Sequence, residues 1–174
     1  FVFSGENSLE GGMYLVVLPD QKWFDIVISE QKFKFKTSLN NLVSDMKFTN
    51  SKENTPFYSY LNYINSKQQE INPIREKLKT ASAEENKKLK ARQEKIDKEV
   101  MAYRESFLKR NPDIFFSKVI KATIDPIIPE APKDKNGKID ETFAFRYYKK
   151  RFWDNVDFSD DRILRTPLFH SKME

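Results

Sequence analysis

A chain of 174 residues with 39% hydrophobic and 14% aromatic side chains carries enough ring and aliphatic area for a packed core, which excludes the disordered and low-complexity classes. With no cysteine and a single histidine, it also excludes disulfide staples, thiolate nucleophiles, cysteine or histidine metal cages and Ser-His-Asp triads built within the chain. The net charge is +5, and no apolar run approaches the roughly 20 residues needed to span a bilayer.

Residues 1–50 contain short apolar runs separated by turn signals. Met13–Leu18 and Trp23–Ile28 flank Pro19-Asp20, which predicts a β-hairpin with a four-residue connection. Phe33 and Phe35 alternate with Lys32, Lys34 and Lys36, as in a strand with one apolar and one wet face. Met46–Phe48 supplies another short run, so the region is expected to form a small antiparallel sheet.

The period becomes helical from about Glu53, with Phe57, Tyr60, Leu61, Ile64, Ile71 and Leu78 near one face. Pro73 is expected to kink this helix near Ser66–Gln69 or to divide it, because it removes a backbone donor and crowds the preceding turn. Ser82-Ala83-Glu84-Glu85 carries the capping-box spacing and announces a second helix. Leu89, Ile96, Val100, Tyr103 and Phe107 hold one stripe of that helix, as needed for an antiparallel hairpin with the first.

Asn111-Pro112 ends the second helix and is expected to cap and open a third, with Phe116, Val119, Ile120 and Thr123 at core spacing. Pro126, Pro129, Pro132 and Asn136-Gly137 mark an extended connection over about 125–140 that ends in a tight turn. A further helix from about Glu141 has Phe143, Tyr147, Lys150 and Asp154 on one stripe and Phe145, Tyr148 and Phe152 on another, and is expected to pack against two partners. Ser159-Asp160-Asp161-Arg162 reads as a cap and first turn leading into Ile163-Leu164. The fold class is therefore α+β: a β region over 1–50, then a helical region over 51–174 with its proline-rich connection.

The excess charge lies in the middle of the chain. Residues 1–50 have five basic against six acidic side chains, residues 51–124 sixteen against ten, and residues 125–174 ten against ten. In the middle, Lys87, Lys88, Lys90, Arg92, Glu94, Lys95, Asp97, Lys98 and Glu99 mix the two signs as a solvated helix face does. That pattern favours a wet face over a nucleic-acid site, although a basic hairpin holding a protein partner or single-stranded nucleic acid is the rival reading.

The remaining candidates are weaker as chemistry. Asp134–Asp140 resembles the middle of an EF-hand loop, but its first ligand position falls on Pro132 and its closing carboxylate on Phe143, so a turn is expected there. Asp160-Asp161 at a helix start suits the helix dipole better than acid–base work. His170 carries no partner that would make it catalytic. The four glycines form no phosphate-binding pattern. Arg146–Trp153 mixes rings and cations in the manner of a single-stranded nucleic-acid platform, but helical spacing spreads them around the cylinder. No catalytic, metal or cofactor residue is assigned, and Tyr147, Tyr148, Phe152 and Trp153 are the candidate partner contacts because exposed rings concentrate interface energy.

One resemblance goes further. Phe107-Leu108-Lys109-Arg110-Asn111-Pro112-Asp113, Phe116, Lys121-Ala122, Pro129-Glu130-Ala131-Pro132, Asn136–Asp140, Tyr147-Tyr148, Asp154–Asp160 and Arg162–Pro167 resemble, in series, the domain preceding the thioredoxin-like domain of TlpA/ResA-like thiol-disulfide oxidoreductases of the Bacteroides group. Residues 1–80 are more loosely similar to the small β domain that opens those proteins, including Phe33-Lys34-Phe35 and Asn50-Ser51-Lys52-Glu53-Asn54.

The resemblance implies a periplasmic or envelope location, a removed leader or lipid anchor as the one tie to the membrane, and a following domain with a C-x-x-C pair. Phe1 without a leader, and Thr166-Pro167 reading as a helix start with little sequence after it, fit the expectation of a piece of a longer polypeptide. The chain itself would be a non-catalytic module whose partners are the thioredoxin-like domain of the same polypeptide and an envelope client protein.

Overall fold

The computed structural model describes residues 2–133 and 135–173. Its elements, in chain order, are strands β1 (Gly12–Val17), β2 (Trp23–Ile28), β3 (Lys34–Lys36) and β4 (Lys47–Thr49), then helices α1 (Asn54–Leu78), α2 (Ala83–Arg110), α3 (Phe115–Ala122) and α4 (Phe143–Arg151), a 3-10 helix (Asp161–Arg165) and α5 (Pro167–Met173). The class is α+β, with strands first and helices after, as the sequence implies. The strands form two separate antiparallel ribbons, β1–β2 and β3–β4, each of two strands.

In the first ribbon Val17 faces Trp23 and Gly12 faces Ile28. The connection therefore runs over five residues, 18–22, one more than the run boundaries suggest. Leu18 N–H donates to the Lys22 carbonyl (2.8 Å) and Gln21 N–H to the Leu18 carbonyl (3.0 Å), with Gln21 at φ 59°. Pro19 sits where a type I turn favours proline, and the left-handed Gln21 completes a bulged hairpin. In the second ribbon Phe35 faces Phe48 at a ring separation of 6.1 Å, and the flanking lysines stay wet.

Helix α1 runs unbroken through Pro73, so the expected division does not occur. Pro73 and Gln69, whose carbonyl loses its partner, both lie on the exposed side, where water serves the carbonyl. The Ser82 box forms as its spacing requires: Glu85 N–H donates to Ser82 Oγ, and Ser82 N–H to Glu85 Oε2 at 3.2 Å. Helices α1 and α2 pair as the expected hairpin, with Tyr63 and Tyr103 stacked at 3.6 Å.

Helix α3 starts at Phe115 rather than at Pro112, and Asn111 does not cap it: the Asn111 amide turns back to the Phe107 carbonyl (3.0 Å). Six of its eight residues are buried, and Thr123, expected in the core, is exposed. The rings of Phe57, Tyr60, Phe107 and Phe116 meet where α1, α2 and α3 converge, with Phe57–Phe116 at 4.5 Å and Tyr60–Phe107 at 5.0 Å. Phe24, Ile26, Val27 and Ile28 of β2 join the same cluster, so one core runs from the first ribbon to α3 and Ile163. Each fully buried large side chain there contributes on the order of 1.5–3 kcal/mol of transfer free energy.

Candidate binding surface and the polar junction behind it

The chain's polar side chains converge where α1 begins. Ser51 Oγ accepts from Asn54 N–H (3.1 Å) and donates to Glu30, whose other oxygen takes Lys52 N–H at 2.7 Å. Asn54 has no exposed surface. Its Oδ1 accepts from Val27 N–H and its Nδ2 donates to the Val27 carbonyl, both at 2.8 Å, so one side-chain amide replaces a neighbouring strand. Tyr58 O–H, one turn on, donates to the Asp25 carbonyl (2.9 Å). The outer edge of β2 is thus occupied by α1 at Val27 and at the Asp25 carbonyl, which blunts an edge that would otherwise recruit a strand. Burial pushes the Tyr58 phenol well above its ordinary value, with the Asp25 charge adding to the rise.

Glu53 is buried beside Asn54 and caps a helix 62 positions away: its carboxylate accepts Phe115 N–H at 2.7 Å and Phe116 N–H at 3.3 Å. This replaces the cap expected from Asn111, and it places a negative charge at the positive end of α3. Arg162 closes the junction from the other end of the chain. It grips Asp160 with two nitrogens (2.7 and 2.6 Å), donates to Ser29 Oγ (2.7 Å), lies 4.0 Å from Glu53 and covers the Phe115 ring at 4.6 Å. Lys118 of α3 bridges Asp157 and Asp160 at 2.9 and 2.8 Å.

These contacts decide what the carboxylates can do. The hydrogen bond from Arg162, with help from Lys118, holds Asp160 far below the usual carboxylate range against the opposing effect of burial. Bonds from Ser159 and then Lys118 bring Asp157 down to about 2. Groups held this firmly as anions serve as counter-ions, not proton donors. Asp160 and Asp161 do not act as a pair, because Asp161 is exposed and bridges Arg165 at 2.8 Å. Arg165 also donates to the Gly11 carbonyl (2.6 Å). A side chain on Gly11 or Gly12 would strike Arg162 or Arg165 at 2.6 or 2.7 Å, so the glycine pair is what lets the 3-10 helix lie against β1.

The helix expected to bury rings on both faces buries none. Tyr147, Tyr148, Phe152 and Trp153 are half-buried and Phe145 is 69% exposed. Both expected stripes exist, but each is backed on one side only. Tyr147 lies with Phe143 (5.7 Å) under Arg151. Tyr148, Phe152 and Trp153 instead run together, at 5.5 and 5.0 Å, and continue to Phe158 and to Phe169 of α5. Lys172 caps this group 4.1 Å above Phe152. The surface is pinned to the body by Tyr148 O–H donating to Asp125 (3.0 Å) and Asn155 donating to the Ile124 carbonyl (2.7 Å).

Of the EF-hand-like run, Asp134 lies outside the described residues. The rest forms a turn, with Gly137 at φ 78°, Lys133 bridged to Ile139, and Asp140 accepting from Thr142 and pairing with Arg146. Among the described residues no three carboxylate or histidine side chains gather in a metal-holding cluster. His170 is exposed beside Phe169. Among the described residues no helix is long and apolar enough to cross a membrane.

Asn54, Glu53 and Tyr58 were not legible as special residues. A polar side chain on a buried helix face looks in sequence like one on a wet face, and the one available hint was the density of polar residues in Ser51–Asn54. No family model, curated protein or solved structure matches the chain.

Proposed function

We propose that this chain is a non-catalytic binding module of an envelope thiol-disulfide oxidoreductase, placed before a thioredoxin-like domain that carries the C-x-x-C pair. The observation that carries the reading is the ring surface of α4 and α5. A helix with four aromatic side chains contributes no buried residue to the core and is fixed to the body through polar contacts at its margin, an arrangement suited to an interface. The residues that carry the resemblance also divide by role. Asp157, Asp160, Arg162 and Arg165 build the polar junction, while Tyr148 belongs to the surface and Tyr147 lies apart from it with Phe143. The module would present this surface to the redox domain or to its client.

The hairpin is less suited to a polyanion. Lys67, Lys79, Lys88 and Arg92 each pair with a carboxylate of the same hairpin, as on a solvated face.

The reading frame that encodes the chain tests the proposal. It is expected to continue into a thioredoxin-like domain with C-x-x-C, and titrating that domain into this chain should shift the NMR signals of Tyr148, Phe152 and Trp153 while leaving those of Leu89 and Ile96 in place. A frame without such a domain, or a titration that leaves the three aromatic residues unmoved, overturns it.

A further inference from the structure

The two edges of the first ribbon are treated differently. Val27 gives both its N–H and its carbonyl to Asn54, so Val27 and the residue facing it, Met13, point their backbone groups away from each other. Alternation then sends the N–H and carbonyl groups of Met13, Leu15 and Val17 outward along the free edge of β1. Among the described residues none of these six groups has a hydrogen-bond partner, whereas on β2 Asn54 meets both outward groups of Val27 and Tyr58 meets the Asp25 carbonyl.

The open stretch has definite ends. At one, Arg165 occupies the Gly11 carbonyl; at the other, the chain enters the turn at Leu18. The side chains beside it are apolar and wet: Leu15 is 53% exposed, Val17 63%, and Trp23, directly across from Val17, 62%. The devices that normally protect such an edge, a lysine, a proline or an inward charge, are missing from Gly12–Val17, which carries no charge at all.

We propose that β1 is a self-pairing edge through which two copies of this chain join. A second copy fits for two reasons on the strand itself. The outward residues are Met13, Leu15 and Val17, symmetric about Leu15, so a two-fold axis there sets Leu15 against its own equivalent and Met13 against Val17 of the other copy, and every open backbone group is met reciprocally. The uncharged strand also brings no like charges face to face. The result is a four-stranded antiparallel sheet, β2–β1 of one copy followed by β1–β2 of the other, with Leu15, Val17 and Trp23 of both on one face, which Asp25, across from Leu15, shares on the outer strands. Joining short strands edge to edge buries less than the roughly 1,000 Å² that a permanent interface clears. The dimer is therefore weak and forms with rising concentration.

Analytical ultracentrifugation of the intact chain over micromolar to millimolar concentration is expected to show a mass rising from 20.6 kDa toward twice that value. Leu15→Lys and Leu15→Glu place like charges across the axis at an exposed position, and each is expected to weaken self-association by about 10-fold or more. An equimolar mixture of the two should restore it, because Lys then faces Glu. Circular dichroism and thermal melts of both variants at low concentration verify the monomer fold. A mass fixed at 20.6 kDa throughout overturns the proposal, as does wild-type association in Leu15→Lys, which would place the contact elsewhere. Failure of the mixture to recover overturns it too, since the edge would then serve a different occupant.

Discussion

Asn54 shows how much one side chain can decide. Its amide has a donor and an acceptor set at the spacing of a backbone peptide, and Val27 uses both. Removing it strands a buried N–H and a buried carbonyl at once. Asn54→Ala is therefore expected to lose roughly 2–4 kcal/mol of stability, seen as a lowered urea midpoint at unchanged slope. Asn54→Asp tests the mechanism more sharply: the shape is kept, but a carboxylate oxygen replaces the amide that served the Val27 carbonyl. It should be destabilising at neutral pH and recover in part on acidification. A midpoint equal to wild type in Asn54→Ala would show that the edge of β2 does not depend on the amide.

At the scale of elements, the long hairpin is uneven. Phe57 and Tyr58 at the start of α1 and Phe107 near the end of α2 are buried, but from Ser66 to the Ser82 turn and back to Lys95 the one buried side chain is Ile71. That half is held by pairs such as Lys67–Glu99 and Arg92–Glu70, which contribute little in water, and by the Ser82 box, worth about 1 kcal/mol. Hydrogen exchange is expected to show the distal half opening locally, with less protection at Gln68–Leu78 and Ala83–Lys95 than at Phe57–Ile64 and Tyr103–Phe107. Uniform protection along both helices would contradict this.

The elements were also the part most readable from the sequence. Hydrophobic period, the Ser82 box and the Pro19-Asp20 turn act within a few residues, and each appears where its chemistry puts it. The start of α3 and the role of α4 were misread for the opposite reason. Glu53 caps α3 from 62 positions away, and rings at core spacing look alike whether or not a partner element arrives to cover them. Of the candidate contacts, Tyr148, Phe152 and Trp153 come together as one group, while Tyr147 faces the other way with Phe143.

At the scale of the molecule, the polar junction ties segments that are far apart in sequence, and it responds to acid. The folded pKa values of Asp157 and Asp160 lie below their ordinary value of 3.8. The stability these groups contribute is thus fully present above that value and is lost as pH falls through the folded values, about 2 for Asp157 and lower for Asp160. Asp160→Asn removes the ion Arg162 and Lys118 hold. It is expected to melt at a lower temperature at neutral pH and to lose less further stability than wild type between about pH 5 and about pH 2. Thermal melts across that range test the assignment, and an equally steep acid loss in the variant would place the pH dependence elsewhere.

The bond from Arg165 to the Gly11 carbonyl spans 154 positions, which also sets an order of events during synthesis. At a translation rate of about 5–20 residues per second, β1 and β2 leave the ribosome many seconds before Arg162 and Arg165 exist. For that interval the ribbon has its turn but neither the clamp on Gly11 nor the guanidinium that closes the junction at Ser29. Between neighbouring nascent chains on one messenger, the bare β1 edge is then longest and least guarded.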